Sequence, residues 1–331
     1  MTKIFIILLL FLSNNVFAID IDDTIKSTIE KNPKVQIAYE KLQESKELIE
    51  NAYNKKLPSI TSTISGTYSN SDSSTSSTSS TTETFTDKYK LSLTQNLYDA
   101  GEKELEIKRS IILFDNEVIN FQVTIQNLIL SAIEGYLIVI NYEKSLEASN
   151  KNFDSVSRFL DETNTKFDLG SATLYDLQNA ESAFAIAETN LFIAQQNYDV
   201  SKITFNRIVG LKPINLEDVL DINKNIDLKT IFENIEKNNY QLAILKNNIK
   251  NTNILLAKEK LSIKPSLDLT TSIEYSDTGR IDSGTEKTNG TIGLTLTIPI
   301  FKQNIDKSNI RKFQSQLLQS ELTTDDTKED L

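Results

Sequence analysis

Carboxylates, hydroxyls and lysine amines are the only groups this chain offers for chemistry, because its 331 residues include no Cys and no His. Thiol and imidazole nucleophiles, Ser-His triads, imidazole bases and Cys/His zinc centres are therefore excluded. The adjacent acid pairs Asp22-Asp23 and Asp325-Asp326 fall in exposed-looking segments, and neither is set up for paired acid/base work. Nine scattered glycines form neither GxxxxGK[ST] nor GxGxxG, so no nucleotide-cradling loop is present and any energy source must be another protein. With Lys+Arg 35 against Asp+Glu 46, the chain is acidic and has no basic block to track a phosphate backbone. These observations predict a chain that is not an enzyme, holds no cofactor or metal and does not bind nucleic acid.

The elements that carry these side chains are mostly helical. From Ile107, the positions 111, 114, 118, 121, 125, 128, 132, 135, 139, 142, 146, 149, 153, 156, 160, 163 and 167 alternate steps of four and three. That unbroken 3.5-residue repeat calls for supercoiled packing against neighbouring helices. A helix from about Gly101 to about Thr165 would be roughly 95 Å long, more than an ordinary globular core needs. Residues 168–172 read as a turn in which Gly170 closes the helix, and a return helix from Thr173 to Val209 stops at Gly210 with Pro213 beyond. Along the return helix Leu177, Phe184, Leu191, Tyr198 and Phe205 recur every seventh residue, interleaved with Ala180, Ala187, Ala194 and Ser201. Large knobs beside small ones allow close approach. Spacing alone fits a plain two-helix coiled coil as well as a larger assembly.

Residues 1–18 read as a cleaved signal peptide. Lys3 precedes the apolar run Ile4 to Leu12, and Val16-Phe17-Ala18 suits signal peptidase, with cleavage expected after Ala18. The run is well short of the roughly 20 residues that span a bilayer. Leu128 to Ile140, the other strongly apolar stretch, carries Glu134 and fits the heptad, so it reads as packing core. The mature protein is expected to have no transmembrane helix.

The chain also repeats itself. Asn32 to Ile60 reads against Asn239 to Leu267, and the strand pattern 91–98 lies over 294–301. A duplicated unit of this kind usually supplies equivalent pieces of a larger symmetric assembly. The strand segments alternate apolar and Ser/Thr residues. Leu267, Leu269, Thr271, Ile273 and Tyr275 share one face, Asp268, Thr270, Ser272 and Glu274 the other. Such strands suit a barrel with lipid outside and water inside; a soluble hairpin lying on a core is the alternative. Ser69 to Thr84, almost wholly Ser, Thr, Asn and Asp, is expected to be a mobile surface loop. The second hairpin is expected to turn through Asp277 to Asn289.

Helix, hairpin, two long helices, connecting segment and then the unit again resembles the TolC family of trimeric outer-membrane efflux proteins. The sharpest match is Leu169-Gly170-Ser171-Ala172-Thr173-Leu174-Tyr175-Asp176-Leu177-Gln178-Asn179-Ala180, which is similar to the family's periplasmic tip. Leu97-Tyr98-Asp99-Ala100-Gly101 is similar to its strand-to-helix junction, with Tyr98 and Gly101 as the junction residues. The resemblance implies a mainly α chain with β. Long antiparallel coiled-coil helices would form a periplasmic tunnel, and two β-hairpins would give four strands to a trimeric twelve-stranded outer-membrane barrel. It further implies a passive conduit of a tripartite efflux or type I secretion system. Expected partners are two further copies, a periplasmic adaptor, an inner-membrane transporter and outer-membrane lipid.

By the same resemblance Asp176, with Tyr175, Gln178 and Asn179, is a periplasmic gate candidate. Leu169, Gly170 and Ser171 form the adaptor-docking turn, though Ser171 stands where the family commonly has Leu. Asp176 equally fits an acid favoured by a helix N-terminus. The domain expectation is a signal peptide over 1–18, a first repeat over 19–210 with its hairpin at 59–98, a connecting segment over 211–237 and a second repeat over 238–331 with its hairpin at 266–301. The second repeat lacks a counterpart of the Gly170 turn, so the chain reads as truncated at its C-terminus. The competing reading is an exported coiled-coil surface or scaffold protein without channel activity.

Overall fold

The computed structural model describes residues 19–75, 78–218, 238–279 and 284–330. The expected signal peptide and most of the connecting segment, from residue 219 to residue 237, lie outside the described residues. In chain order the elements are α1 (Ile21–Lys31), α2 (Pro33–Asn54), β1 (Ser59–Thr75), β2 (Thr78–Tyr98), α3 (Glu102–Asp168), α4 (Leu174–Val209), α5 (Tyr240–Leu261), β3 (Ser266–Gly279), β4 (Thr285–Thr297) and α6 (Ile305–Glu329). They fall into two compact units, whose described residues lie within 19–39 and 120–218 for the first and within 40–119 and 238–330 for the second. This division cuts through α2 and α3 and so does not follow the sequence repeat.

In the first unit the distal part of α3 packs on α4 and α1. The heptad positions Leu128, Ala132, Gly135, Val139 and Thr163 are buried, as are Ala180, Ala187, Ala194 and Ser201 of α4. The large residues alternating with them, Leu177, Phe184, Leu191 and Tyr198, are only half-buried. Small side chains thus sit at the closest approach. At Gly135 an added Cβ would lie 3.8 Å from the Phe205 ring. Tyr136, Val139, Phe205 and Val209 form the core, with the Tyr136 and Phe205 rings 6.4 Å apart.

Helix α1 closes the end of α4. Ser27 Oγ donates to Val209 O at 2.9 Å and Asn32 Nδ2 to Ile208 O at 2.8 Å, satisfying carbonyls that a helix terminus leaves orphaned. Gly210 then turns away in the left-handed region. Tyr136 Oη donates to Glu217 O at 2.7 Å and Ile19 O at 3.0 Å, which pins the short bridge between Ile19 and Leu216.

In the second unit the four strands form one antiparallel sheet in the order β1-β2-β3-β4. Two loop expectations are corrected here. Within the tract from Ser69 to Thr84, Ser69–Thr75 pairs as a strand with Thr78–Thr84, from Ser69 opposite Thr84 to Thr75 opposite Thr78. The second hairpin also pairs past Asp277, up to Thr278 opposite Thr285. Backbone ladders need no apolar side chains, so a polar tract continues a sheet whose register is already set further down. The strand expected over 294–301 ends earlier, at Thr297, and the second hairpin accordingly runs to Thr297 rather than residue 301. Pro299 has no N–H to donate to a ladder.

Around the sheet's helical end, α5 packs on α3 and α6. Asn247 Nδ2 donates to Asn116 Oδ1 at 3.0 Å, and Asn116 Nδ2 to Asn248 Oδ1 at 3.2 Å. Asn309 Nδ2 of α6 donates to Glu259 Oε1 of α5 at 3.1 Å. The duplication recurs in the backbone itself. Ala100 and Gly101 precede α3 with positive φ, and Gln303 and Asn304 precede α6 with positive φ.

Candidate functional site

Three places carry the residues singled out in the sequence: the α3–α4 turn, the strand-to-helix junction, and the two faces of the sheet.

The α3–α4 turn is locked by its own backbone. Ser171 N donates to Lys166 O at 2.8 Å and Gly170 N to Phe167 O at 2.9 Å, the paired bonds of a Schellman closure, with Gly170 at φ 73. Nothing lies within 4 Å of where a Gly170 Cβ would be, so glycine is required by conformation and not by space. Thr173 caps α4 in a reciprocal box. Asp176 N donates to Thr173 Oγ1 at 3.2 Å, while Asp176 Oδ2 accepts from Thr173 N at 2.9 Å and Thr173 Oγ1 at 2.6 Å.

The Thr173 hydroxyl, and next its N–H, hold the Asp176 carboxyl below its ordinary value. Asp176 therefore serves its own helix as a cap. Gln178 and Asn179 are exposed beside it. Leu169 and Tyr175 are 78% and 72% exposed, so the turn presents an apolar rim to its surroundings.

At the junction Asp99 organises the start of α3. Its Oδ1 accepts from Gly101 N at 3.0 Å and its Oδ2 from Lys103 N at 3.1 Å. Tyr98 is exposed, next to a register shift between Asn96 and Tyr98. One turn on, Lys258 Nζ lies 2.5 Å from Glu106 Oε2 and Arg109 Nη1 3.1 Å from Glu106 Oε1. Burial pushes the Glu106 carboxyl up, but the hydrogen bond and charge of Lys258, with Arg109 adding to them, outweigh it and hold the group below its ordinary value.

The sheet sorts side chains by face. Register places Ile60, Leu93, Thr271 and Ile292 in one row; the next rows on that face are Ser62, Leu91, Ile273 and Gly290, then Ile64, Tyr89, Tyr275 and Thr288. Most of the apolar residues in these rows are exposed. Toward the helical end, the face continues through Leu269 and Leu294 to Tyr98, Leu267 and Leu296.

Aromatic residues thus stand at both margins of the apolar band, Tyr98 at one and the Tyr89–Tyr275 pair, 6.1 Å between centroids, at the other. The row beyond is acidic, with Asp87, Asp277 and Glu286 aligned by register. The opposite face is Ser and Thr almost throughout, cross-linked by contacts such as Thr61 Oγ1 to Ser92 Oγ at 2.8 Å and Ser272 Oγ to Thr291 Oγ1 at 2.8 Å. Neither the acidic row nor the lysines on this polar face were singled out from sequence. Period-2 alternation was the signal that contained them, but only the cross-strand register aligns them.

Comparison with known proteins agrees with this architecture. The family described as Outer membrane efflux protein matches residues 24–211, more than half the chain. The Outer membrane protein TolC of Escherichia coli (strain K12) is 25% identical over 302 residues, covering 86% of this chain and 59% of that protein. The chain thus spans about three fifths of the length of this curated relative. Among solved structures, the Campylobacter jejuni CmeC outer membrane channel superposes with a TM-score of 0.75 at 15% identity, over 94% of this chain and 68% of that one. The outer membrane protein VceC of Vibrio cholerae superposes with a TM-score of 0.68 at 14% identity, over 93% and 75%. These likenesses establish the fold.

Proposed function

As the chain belongs to the outer membrane efflux protein family, we propose that it supplies one third of a trimeric conduit through the outer membrane and periplasm. In this reading the conduit serves a tripartite efflux or type I secretion system and catalyses no reaction. The observation that carries this is the sheet. One face exposes an apolar band edged by tyrosines, the other is Ser/Thr-rich, and both β1 and β4 have a free edge among the described residues. Four strands cannot close on themselves, and exposed edges of 17 and 13 residues invite pairing. Three copies joined edge to edge give twelve strands, lipid outside and water inside.

In this reading the α3–α4 turn meets the periplasmic partners. Leu169, Gly170 and Ser171 meet the adaptor there, with the inner-membrane transporter behind it. Asp176, Tyr175, Gln178 and Asn179 belong to the gate, a ring of polar groups at a narrow pore setting field and closure together. Support for this is their exposure beside a rigid turn. The outer membrane is the expected location, reached through a cleaved signal peptide.

Membrane fractionation tests the proposal. The chain is expected to stay in outer membranes through carbonate extraction and to run as a trimer that heating dissociates. Release by carbonate as a monomer would favour the coiled-coil scaffold instead.

A further inference from the structure

Charge on the sheet is sorted by face in a way that the acidic composition of the chain does not explain. Five charged residues of the four strands lie on the polar face, by register: Lys88, Lys90, Lys287, Glu274 and Asp268. Four of them occupy two adjacent rows. Ser65, Lys88, Ser276 and Lys287 form one, and Thr63, Lys90, Glu274 and Asn289 the next. The fifth, Asp268, lies at the helical end, where its Oδ1 accepts from Asn96 Nδ2 at 2.9 Å.

In the two rows three ammonium groups therefore face one carboxylate. Glu274 sits opposite Lys90, and Lys88 and Lys287 stand two strands apart, about 10 Å, with only Ser276 between them. All three lysines are exposed, and none is in an ion pair among the described residues. The acids at this height, Asp87, Asp277 and Glu286, are on the other face.

We propose that Lys88, Lys90 and Lys287 form a cationic collar on the water-facing side of the barrel wall that selects anionic permeants, those carrying carboxylate, sulfonate or phosphate groups. The inference rests on the conduit reading and deepens it. Each protomer contributes a net charge of about two, and symmetry repeats it three times around the lumen. The spacing between charges is close to the Debye length of about 8 Å at physiological salt, so their fields overlap across the rows. Apart from Asp268 at the helical end, the rest of the polar face carries no charge in the four strands and is mostly hydroxyl-lined, so the collar dominates the potential in this part of the passage, and a ring of Lys favours anions. Free lysines also keep three donors each for an oxyanion.

The test uses the full chain reconstituted in planar bilayers under a tenfold KCl gradient. The triple variant Lys88→Gln, Lys90→Gln, Lys287→Gln is expected to lower the chloride-to-potassium permeability ratio at least threefold, and the corresponding Lys→Glu variant to lower it further. Asp277→Asn with Glu286→Gln, on the lipid side, is expected to leave it unchanged. Should the triple variants fail to assemble, Lys88→Cys provides a unique thiol in a chain that has none. Labelling the assembled channel with an anionic thiol reagent is then expected to lower the ratio and a cationic one to raise it. Conductance with a ratio indifferent to all these changes overturns the collar alone. No conductance from the unsubstituted chain overturns the conduit reading and the collar with it.

Discussion

Replacing Ile292 by Lys separates a lipid-facing sheet from a water-facing one, because the two predict opposite signs. Ile292 is 80% exposed within the protomer. Were that face in water, Lys would be neutral or a small gain. The apolar band runs from the row of Leu267 and Leu296 to the row of Tyr89 and Tyr275, eight residues along β3. At about 3.4 Å per residue that is ~27 Å along the strand, or ~21 Å of depth at the usual barrel tilt, close to the ~25 Å apolar band of outer-membrane barrels.

Ile292 lies two rows from either margin, near the middle, where Lys on the lipid face costs ~2–4 kcal/mol per copy. Its neighbour Thr291, on the polar face, hydrogen-bonds Ser272, and Lys there is expected to cost under ~1 kcal/mol. Glu286→Lys, beyond the tyrosines, is expected to fall in the same small range. The assay is urea unfolding of the chain refolded into phospholipid vesicles, read by the heat-sensitive mobility of the trimer. A loss at Ile292 no larger than at Thr291 would refute the assignment of faces.

Tyr136→Phe removes the hydroxyl that serves two carbonyls and leaves Glu217 O without it; a loss of ~1–3 kcal/mol in urea unfolding is expected, and a change under ~0.5 would mean that water replaces the bond. Gly170→Val is expected to cost ~1–2 kcal/mol through its left-handed backbone, and to reduce adaptor crosslinking without lowering trimer yield; equal loss of trimer would make Gly170 a folding residue only. Asp176→Ala is expected to raise single-channel conductance if the carboxylate belongs to the gate. Unchanged conductance and gating would leave it the helix cap that it forms with Thr173.

The folded Glu106 carboxyl has a lowered pKa, so its contribution to stability is full above the unfolded value near 4.5 and is lost as pH falls through the folded value. Glu106→Gln is therefore expected to flatten the acid side of the stability profile while leaving its neutral-to-basic side parallel, and an unchanged acid slope would remove Glu106 from that account.

Much of the helical architecture was legible because heptad spacing is a local property. Ala180, Ala187, Ala194 and Ser201 announce a close helix contact, and all four are buried. Gly170 and Gly210 mark helix ends, and both have positive φ. Ser69 to Thr84 misled for an equally physical reason: composition reports what side chains can bury, whereas a hairpin is propagated by backbone hydrogen bonds from an established register. Pro299 was the readable sign that β4 ends early, and the alternation around it hid that sign.

Asp176 shows the limit at the site. Its position near a helix start was evident in sequence, but the reciprocal bonds with Thr173 depend on backbone geometry beyond a Gly turn.

By itself, then, the sequence determined the chemistry that is ruled out, the duplicated plan, the long heptad hairpin and the two-faced character of each strand, since all of these follow from residue type and period. Which strand lies beside which, and in what register, was decided only by the tertiary structure. A period of two tells which side chains share a face within a strand, but not what they meet on the next. That alignment turns scattered tyrosines into the margins of a band, sends Asp87, Asp277 and Glu286 to one side, and gathers Lys88, Lys90 and Lys287 on the other.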